Sequence, residues 1–119
     1  MRDHNTLRAF ELADQLVVLL YSMTSQFPKQ EQFGLTSQMR RAAISIPSNI
    51  VEGCAKESEA DFVRFLGIAY GSAKELEYQV SLAARLGFFE NEEAFKSLME
   101  MCVETCKVLS GLIRSFRRA

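Results

Sequence analysis

An all-α chain folded as an antiparallel up-down-up-down four-helix bundle is what the sequence predicts, and three observations carry that prediction. Apolar residues recur at three- and four-residue spacing through four long segments. Those segments are separated by short stretches holding the prolines, glycines and polar caps that stop and start helices. No run alternates with the period of two that a half-buried strand requires. The 119 residues are read as a single four-helix bundle domain spanning 1–119, a length that buries roughly two-thirds of the surface the unfolded chain exposes.

The first helix is predicted from Thr6 to Phe27, where Leu7, Phe10, Leu12, Ala13, Leu16, Val17, Leu19, Leu20 and Met23 recur at helical spacing. At ~100° per residue these positions cover roughly half the circumference, wider than a coiled-coil seam, so the helix needs a broad core or two partners. Pro28 stops it, and Lys29 to Gly34 make a polar connection. The second helix is expected to start near Thr36 or Ser37, with Leu35, Met39, Ala42, Ala43, Ile46, Ile50 and Cys54 as its inward stripe. Pro47 falls midway along it. A proline there removes one backbone hydrogen bond and clashes with the preceding turn, at ~3 kcal/mol, so the expected result is a kink at Pro47 that bends the helix around the core. Ser45, Ser48, Asn49 or a water is expected to satisfy the carbonyl freed near Ala43.

The third helix opens with Ser58-Glu59-Ala60-Asp61, a capping box with Asp at the fourth position, and ends at Gly87. Phe62, Phe65, Leu66, Ala69, Ala73, Leu76, Val80 and Ala83 form its continuous core stripe. Gly67 and Gly71 lie one turn apart on roughly the opposite side, flanked by Ile68, Leu82 and Leu86. Each mid-helix glycine costs ~1 kcal/mol relative to alanine. Two on one face mark Gly67, Ile68, Gly71, Leu82 and Leu86 as a candidate oligomer interface, where small residues let another helix approach. Asn91 caps a fourth helix whose first turn carries Glu92 and Glu93, and Phe95, Leu98, Met99, Cys102, Val103, Cys106, Leu109, Leu112, Ile113 and Phe116 run along one of its faces.

Composition narrows the function classes. A hydrophobic fraction of 48% with two prolines and six glycines is too apolar for disorder. No apolar run approaches the ~20 residues of a membrane span, so no membrane partner is expected. Met1 to Thr6 leads directly into an amphipathic pattern, unlike a signal peptide, which makes the cytoplasm the expected location. Cys54, Cys102 and Cys106 are an odd set on apolar faces and are read as buried thiols. Zinc wants about four converging ligands, and the only histidine, His4, sits in a terminus expected to fray, so no metal site is predicted. The same lone histidine removes Ser/His/acid and Cys/His catalysis, and paired Glu-x-x-His motifs, a phosphate-binding loop and Gly-x-Gly-x-x-Gly are all missing from the sequence. No cofactor and no enzymatic activity are expected. Glu52 beside Arg40 and Arg41 is read as a structural ion pair.

The net charge of −1 is unevenly spread: residues 59–100 carry twice as many acids as bases, whereas the end of the chain sets Lys107, Arg114, Arg117 and Arg118 against Glu104. Cations at a helix C-terminus interact favourably with its macrodipole, which accounts for these arginines structurally. Arg40, Arg41, Lys56, Arg114, Arg117 and Arg118 are the candidate phosphate contacts if the partner is RNA or DNA.

Three segments carry a family resemblance: Phe27-Pro28 with Phe33-Gly34-Leu35-Thr36-Ser37-Gln38; Arg40-Arg41-Ala42-Ala43 with Ser45-Ile46-Pro47-Ser48-Asn49-Ile50 and Glu52-Gly53; and Phe62, Arg64-Phe65-Leu66, Ile68-Ala69, Gly71-Ser72, Glu75-Leu76-Glu77 and Gln79. In this order they resemble the small bacterial four helix bundle proteins, also called 23S rRNA intervening sequence proteins. The resemblance implies a four-helix protomer assembling into a ring-like homopentamer. The chain is also similar to the accessory proteins of diversity-generating retroelements, whose basic, barrel-like pentamers bind nucleic acid and a reverse transcriptase. Tyr70 stands where many relatives carry Arg, and the chain is slightly acidic, so a broad basic surface is not expected. The preferred reading is a non-enzymatic oligomeric scaffold. The alternative is an RNA- or DNA-binding accessory protein acting through small basic patches repeated around a homopentamer.

Overall fold

The apolar stripes fold as four helices in a computed structural model that describes residues 1–117: α1 Arg8–Thr24, α2 Leu35–Cys54, α3 Glu59–Arg85 and α4 Glu92–Arg117. No strand occurs among the described residues. Each helix packs against the next and α1 returns against α4, whereas the backbones of the diagonal pairs α1/α3 and α2/α4 lie farther apart. The result is a rod of 45 × 23 × 19 Å. Leu16 and Leu20 of α1, Met39, Ile46 and Ile50 of α2, Phe62, Leu66, Leu76 and Val80 of α3, and Leu98 and Leu109 of α4 are fully buried along its axis. Burial of each such side chain contributes about 1.5–3 kcal/mol. Aromatic clusters close the two ends: Phe62 meets Phe116 edge-on at 5.5 Å, and Phe27 meets Phe88 and Phe89 at 5.7 and 5.2 Å.

Helix ends follow local chemistry. Ser58 Oγ accepts from the Asp61 N–H at 3.1 Å, and Asn91 Oδ1 accepts from the Ala94 N–H at 2.8 Å. After α3 the chain closes a Schellman motif, in which Phe88 N–H donates to Ala83 O and Gly87 N–H to Ala84 O. Gly87 takes φ +78°, the left-handed conformation this motif needs. Two expected boundaries shift. α1 stops at Thr24 rather than Phe27, because Phe27 turns inward to the Phe88 and Phe89 rings and its N–H caps Thr24 O. α2 starts at Leu35, with Gly34 at the cap and Glu31 Oε1 accepting from the Leu35 N–H at 3.1 Å.

One other expectation is corrected and one is narrowed. The N-terminal segment is tied down: Asp3 caps a 3-10 turn at His4–Thr6, Arg2 N–H donates to Cys54 O at 2.8 Å, and the Arg2 guanidinium lies 4.2 Å over the Phe62 ring. At Pro47, the Asn49 side chain does not reach the Ala43 carbonyl. Its Nδ2 donates instead to Ser45 O at 2.8 Å and Ser45 Oγ at 2.9 Å, one turn nearer.

Candidate functional site

Helices α2 and α3 meet along a polar seam. Besides the Asn49 bonds to Ser45, the hydroxyls of Ser45 and Ser72 lie 2.8 Å apart, and Gln79 Nε2 donates to Glu75 Oε2 at 3.2 Å. Gln38, Arg41, Ser45, Ser72 and Glu75 line a shallow depression of ≈ 180 Å³ over this seam. The buried Gln79 Oε1 has no hydrogen-bond partner. These residues fall in the segments that carry the family resemblance; the Ser45–Ser72 contact joins helix to helix, while the Asn49 and Gln79 bonds stay within their own helices.

Among the described residues, the candidate phosphate-contacting cations fall in separate places, apart from Arg114 and Arg117. Arg40 is half-buried at the end of α1, where its guanidinium lies 4.4 Å over the Tyr21 ring, Nε donates to Thr24 Oγ1 at 3.0 Å and Nη2 to Tyr21 O at 3.4 Å. Arg41 is exposed beside the seam. Lys56 lies past the far end of α2, its Nζ 5.3 Å from the Phe65 ring centroid. Arg114 and Arg117 sit near the end of α4, and Arg118 lies outside the described residues. The expected ion pair of Glu52 with Arg40 and Arg41 does not form. Eleven or twelve residues along one helix separate these side chains by about 16–18 Å.

What the structure does assemble is a groove of ≈ 510 Å³ between α3 and α4, lined by Tyr70, Lys74, Glu77, Lys107, Ser110 and Arg114 together with Val103 and Cys106. Arg117 joins Tyr70 and Arg114 at one end. Lys74, Lys107 and Arg114 thus share the groove with Glu77, which pairs with Lys74 at 3.4 Å and pushes the Lys74 ammonium above its ordinary pKa. Sequence reading missed Lys74 and Lys107, since they are far apart in the chain and only helix packing aligns them. Tyr70 lines this groove beside the cations.

Apolar surface is left uncovered on two sides. On α3, Ile68 is 42% and Leu86 53% exposed, Leu82 is half-buried, and nothing lies within 4 Å of the space a Cβ would take at Gly67 or Gly71. On α2, Arg40, Ile44, Pro47 and Val51 follow one face at helical spacing, with Ile44 and Val51 exposed. Tyr21 of α1 adjoins that stripe through Arg40, and Val18, 67% exposed, lies one turn before it. Phe33, in the connection between α1 and α2, is 90% exposed.

All three cysteines are buried free thiols, as expected from their place on apolar faces. Burial pushes Cys102 up to about 12 and Cys106 up to about 11, and raises Cys54. Such thiols stay protonated and unreactive at neutral pH. No helix among the described residues is long and apolar enough to cross a membrane.

Comparison with known proteins agrees with this architecture. The family model described as 23S rRNA-intervening sequence protein matches residues 5–111. Among solved structures, the chain is similar to a protein with unknown function from the S23 ribosomal protein family of Bacteroides thetaiotaomicron. The two are 27% identical and superpose with a TM-score of 0.80, over 93% of this chain and 97% of the other. No curated protein matches.

Proposed function

The chain belongs to the 23S rRNA-intervening sequence protein family, and from that premise we propose that it is a non-enzymatic scaffold that assembles with copies of itself in the cytoplasm. The protomer is an antiparallel up-down-up-down bundle. Supporting that topology, Phe62 at the start of α3 meets Phe116 at the end of α4, and the connections at residues 55–58 and 86–91 are too short for parallel neighbours. Helix α2 bends at Pro47, where the ring removes the donor to Ala43 O.

The observation that carries the assembly reading is apolar surface on two different sides: the glycine face of α3 and the Ile44/Val51 stripe of α2 beside α1. The α2 stripe lies on the side that meets Tyr21 of α1, away from the Ser45–Ser72 contact with α3, so the two patches do not merge into one surface. A patch that meets a different patch on the next copy makes a head-to-tail contact, which closes into a ring when the rotation allows. Five copies is the number the family resemblance implies. Light scattering of the purified protein at micromolar concentration should give a mass several-fold above the 13.5 kDa of one chain. A monomer under those conditions would contradict the proposal.

A second reading has one observation in its favour. The groove between α3 and α4 sets Lys74, Lys107, Arg114 and Arg117 against a single acid, and Tyr70 adds a stacking surface. Repeated around a ring, it would form a nucleic-acid contact whose affinity falls steeply with salt.

A further inference from the structure

Where α1 ends and α2 begins lies a second concave site, of ≈ 150 Å³, lined by Thr24, Lys29, Gln32, Thr36 and Arg40 together with Ser25, Phe27 and Pro28. Two cations and no carboxylate line it. Arg40 is held on the α1 side by its bonds to Thr24 Oγ1 and Tyr21 O, and its Nη1 makes no hydrogen bond within the described residues. Thr36 is only 6% exposed, yet its hydroxyl has no partner. A buried donor left in that state costs about 1–3 kcal/mol unless something fills the space beside it.

Thr36 is also the second residue of a 20-residue helix. The cap residue Gly34 brings no side chain, Glu31 Oε1 takes the Leu35 N–H, and Gln38 N–H returns to Gly34 O. The N–H groups of Thr36 and Ser37 have no acceptor among the described residues. Unpaired N–H groups and the aligned peptide dipoles place roughly half a positive charge at such a helix start. Glu31 is the carboxylate bonded to the start of α2. It lies on the Gly34 side, 2.8 Å from where a Gly34 Cβ would stand, and does not line the pocket.

We propose that this pocket binds a single phosphate group, held by Lys29 and Arg40, the Thr36 hydroxyl and the start of α2. A tetrahedral oxyanion supplies several acceptors to the donors that line the pocket, and the space exceeds what a lone water needs. The site is separate from the α3–α4 groove.

Amide NMR of the full chain in chloride buffer at constant ionic strength tests it. Inorganic phosphate is titrated in one arm, and a single-stranded RNA lacking terminal phosphates in the other. The expected result is saturable shifts at Thr36 and Ser37 with at least one probe; the responding arm tells free phosphate from a phosphodiester. Arg40→Gln should weaken that binding about tenfold. Lys29→Gln, at an exposed residue that leaves folding intact, should weaken it severalfold, as should the isosteric Thr36→Val. No saturable shift with either probe overturns the proposal. So does equal affinity in Lys29→Gln, Thr36→Val and the unaltered protein.

Discussion

Cys102 is where burial has its clearest chemical effect. Its folded value, pushed up to about 12, lies above the ordinary 9.0, so the folded protein holds the thiol proton more tightly than the unfolded chain does. Below about pH 9 both states are protonated and the stabilisation is fully present. As pH climbs from about 9 towards 12, the unfolded thiol ionises first and that stabilisation is lost, at about 1.4 kcal/mol per pH unit. Cys102→Ala should cost stability at neutral pH by leaving a small cavity, yet the gap to the unaltered protein should narrow as urea unfolding is repeated from about pH 8 to about pH 10.5. A gap that stays constant over that range would mean the thiol is not held protonated by burial. At this scale the sequence was legible wherever the physics is local. The stripes, the Ser58 and Asn91 caps and the buried cysteines all follow from near neighbours in the chain. The bridging role of Arg40 was not legible, because Tyr21 and Thr24 come to it from another helix and tie α1 to α2 through its guanidinium.

At the scale of elements, α2 and α3 are joined by more than apolar burial. The Ser45 and Ser72 hydroxyls bond across the interface, and Asn49 steadies Ser45 from one turn away. A double-mutant cycle on Ser45→Ala and Ser72→Ala, measured by urea unfolding, should give a coupling of about 0.5–1.5 kcal/mol. Additive effects would reduce the seam to simple packing. The four helices themselves were plain from period and punctuation, but where α1 ends was not. Pro28 marks the last position a helix can reach, whereas Phe27 ends it sooner by turning into rings some sixty residues away in the sequence. The basic groove escaped notice for the same reason: Lys74 sits on α3 in an acid-rich stretch, and only packing brings it beside Lys107 and Arg114 of α4. Charge counted along a chain says little about charge gathered across an interface.

For the whole molecule, the decisive feature is what four helices leave uncovered. A protomer of 45 × 23 × 19 Å buries its core stripes and still exposes Val18, Ile44, Val51, Ile68 and Leu86. Scattered singly these would need no explanation, but on α2 and α3 they follow helix faces. The glycine pair was visible in the sequence, and so was the breadth of the apolar face of α1. The stripe on α2 emerged only once Ile44 and Val51 were seen to point away from the core. The proposed assembly through α3 is tested most directly at Gly71, where a side chain meets open space within the protomer. Gly71→Leu should keep or raise the unfolding temperature of the protomer, since replacing a mid-helix glycine is worth about 0.5–1 kcal/mol. Sedimentation velocity of the same variant should show a shift from the assembled form towards the single 13.5 kDa chain. An unchanged sedimentation profile with an intact fold would show that the glycine face of α3 is bare solvent-facing surface and would contradict the assembly proposed for it.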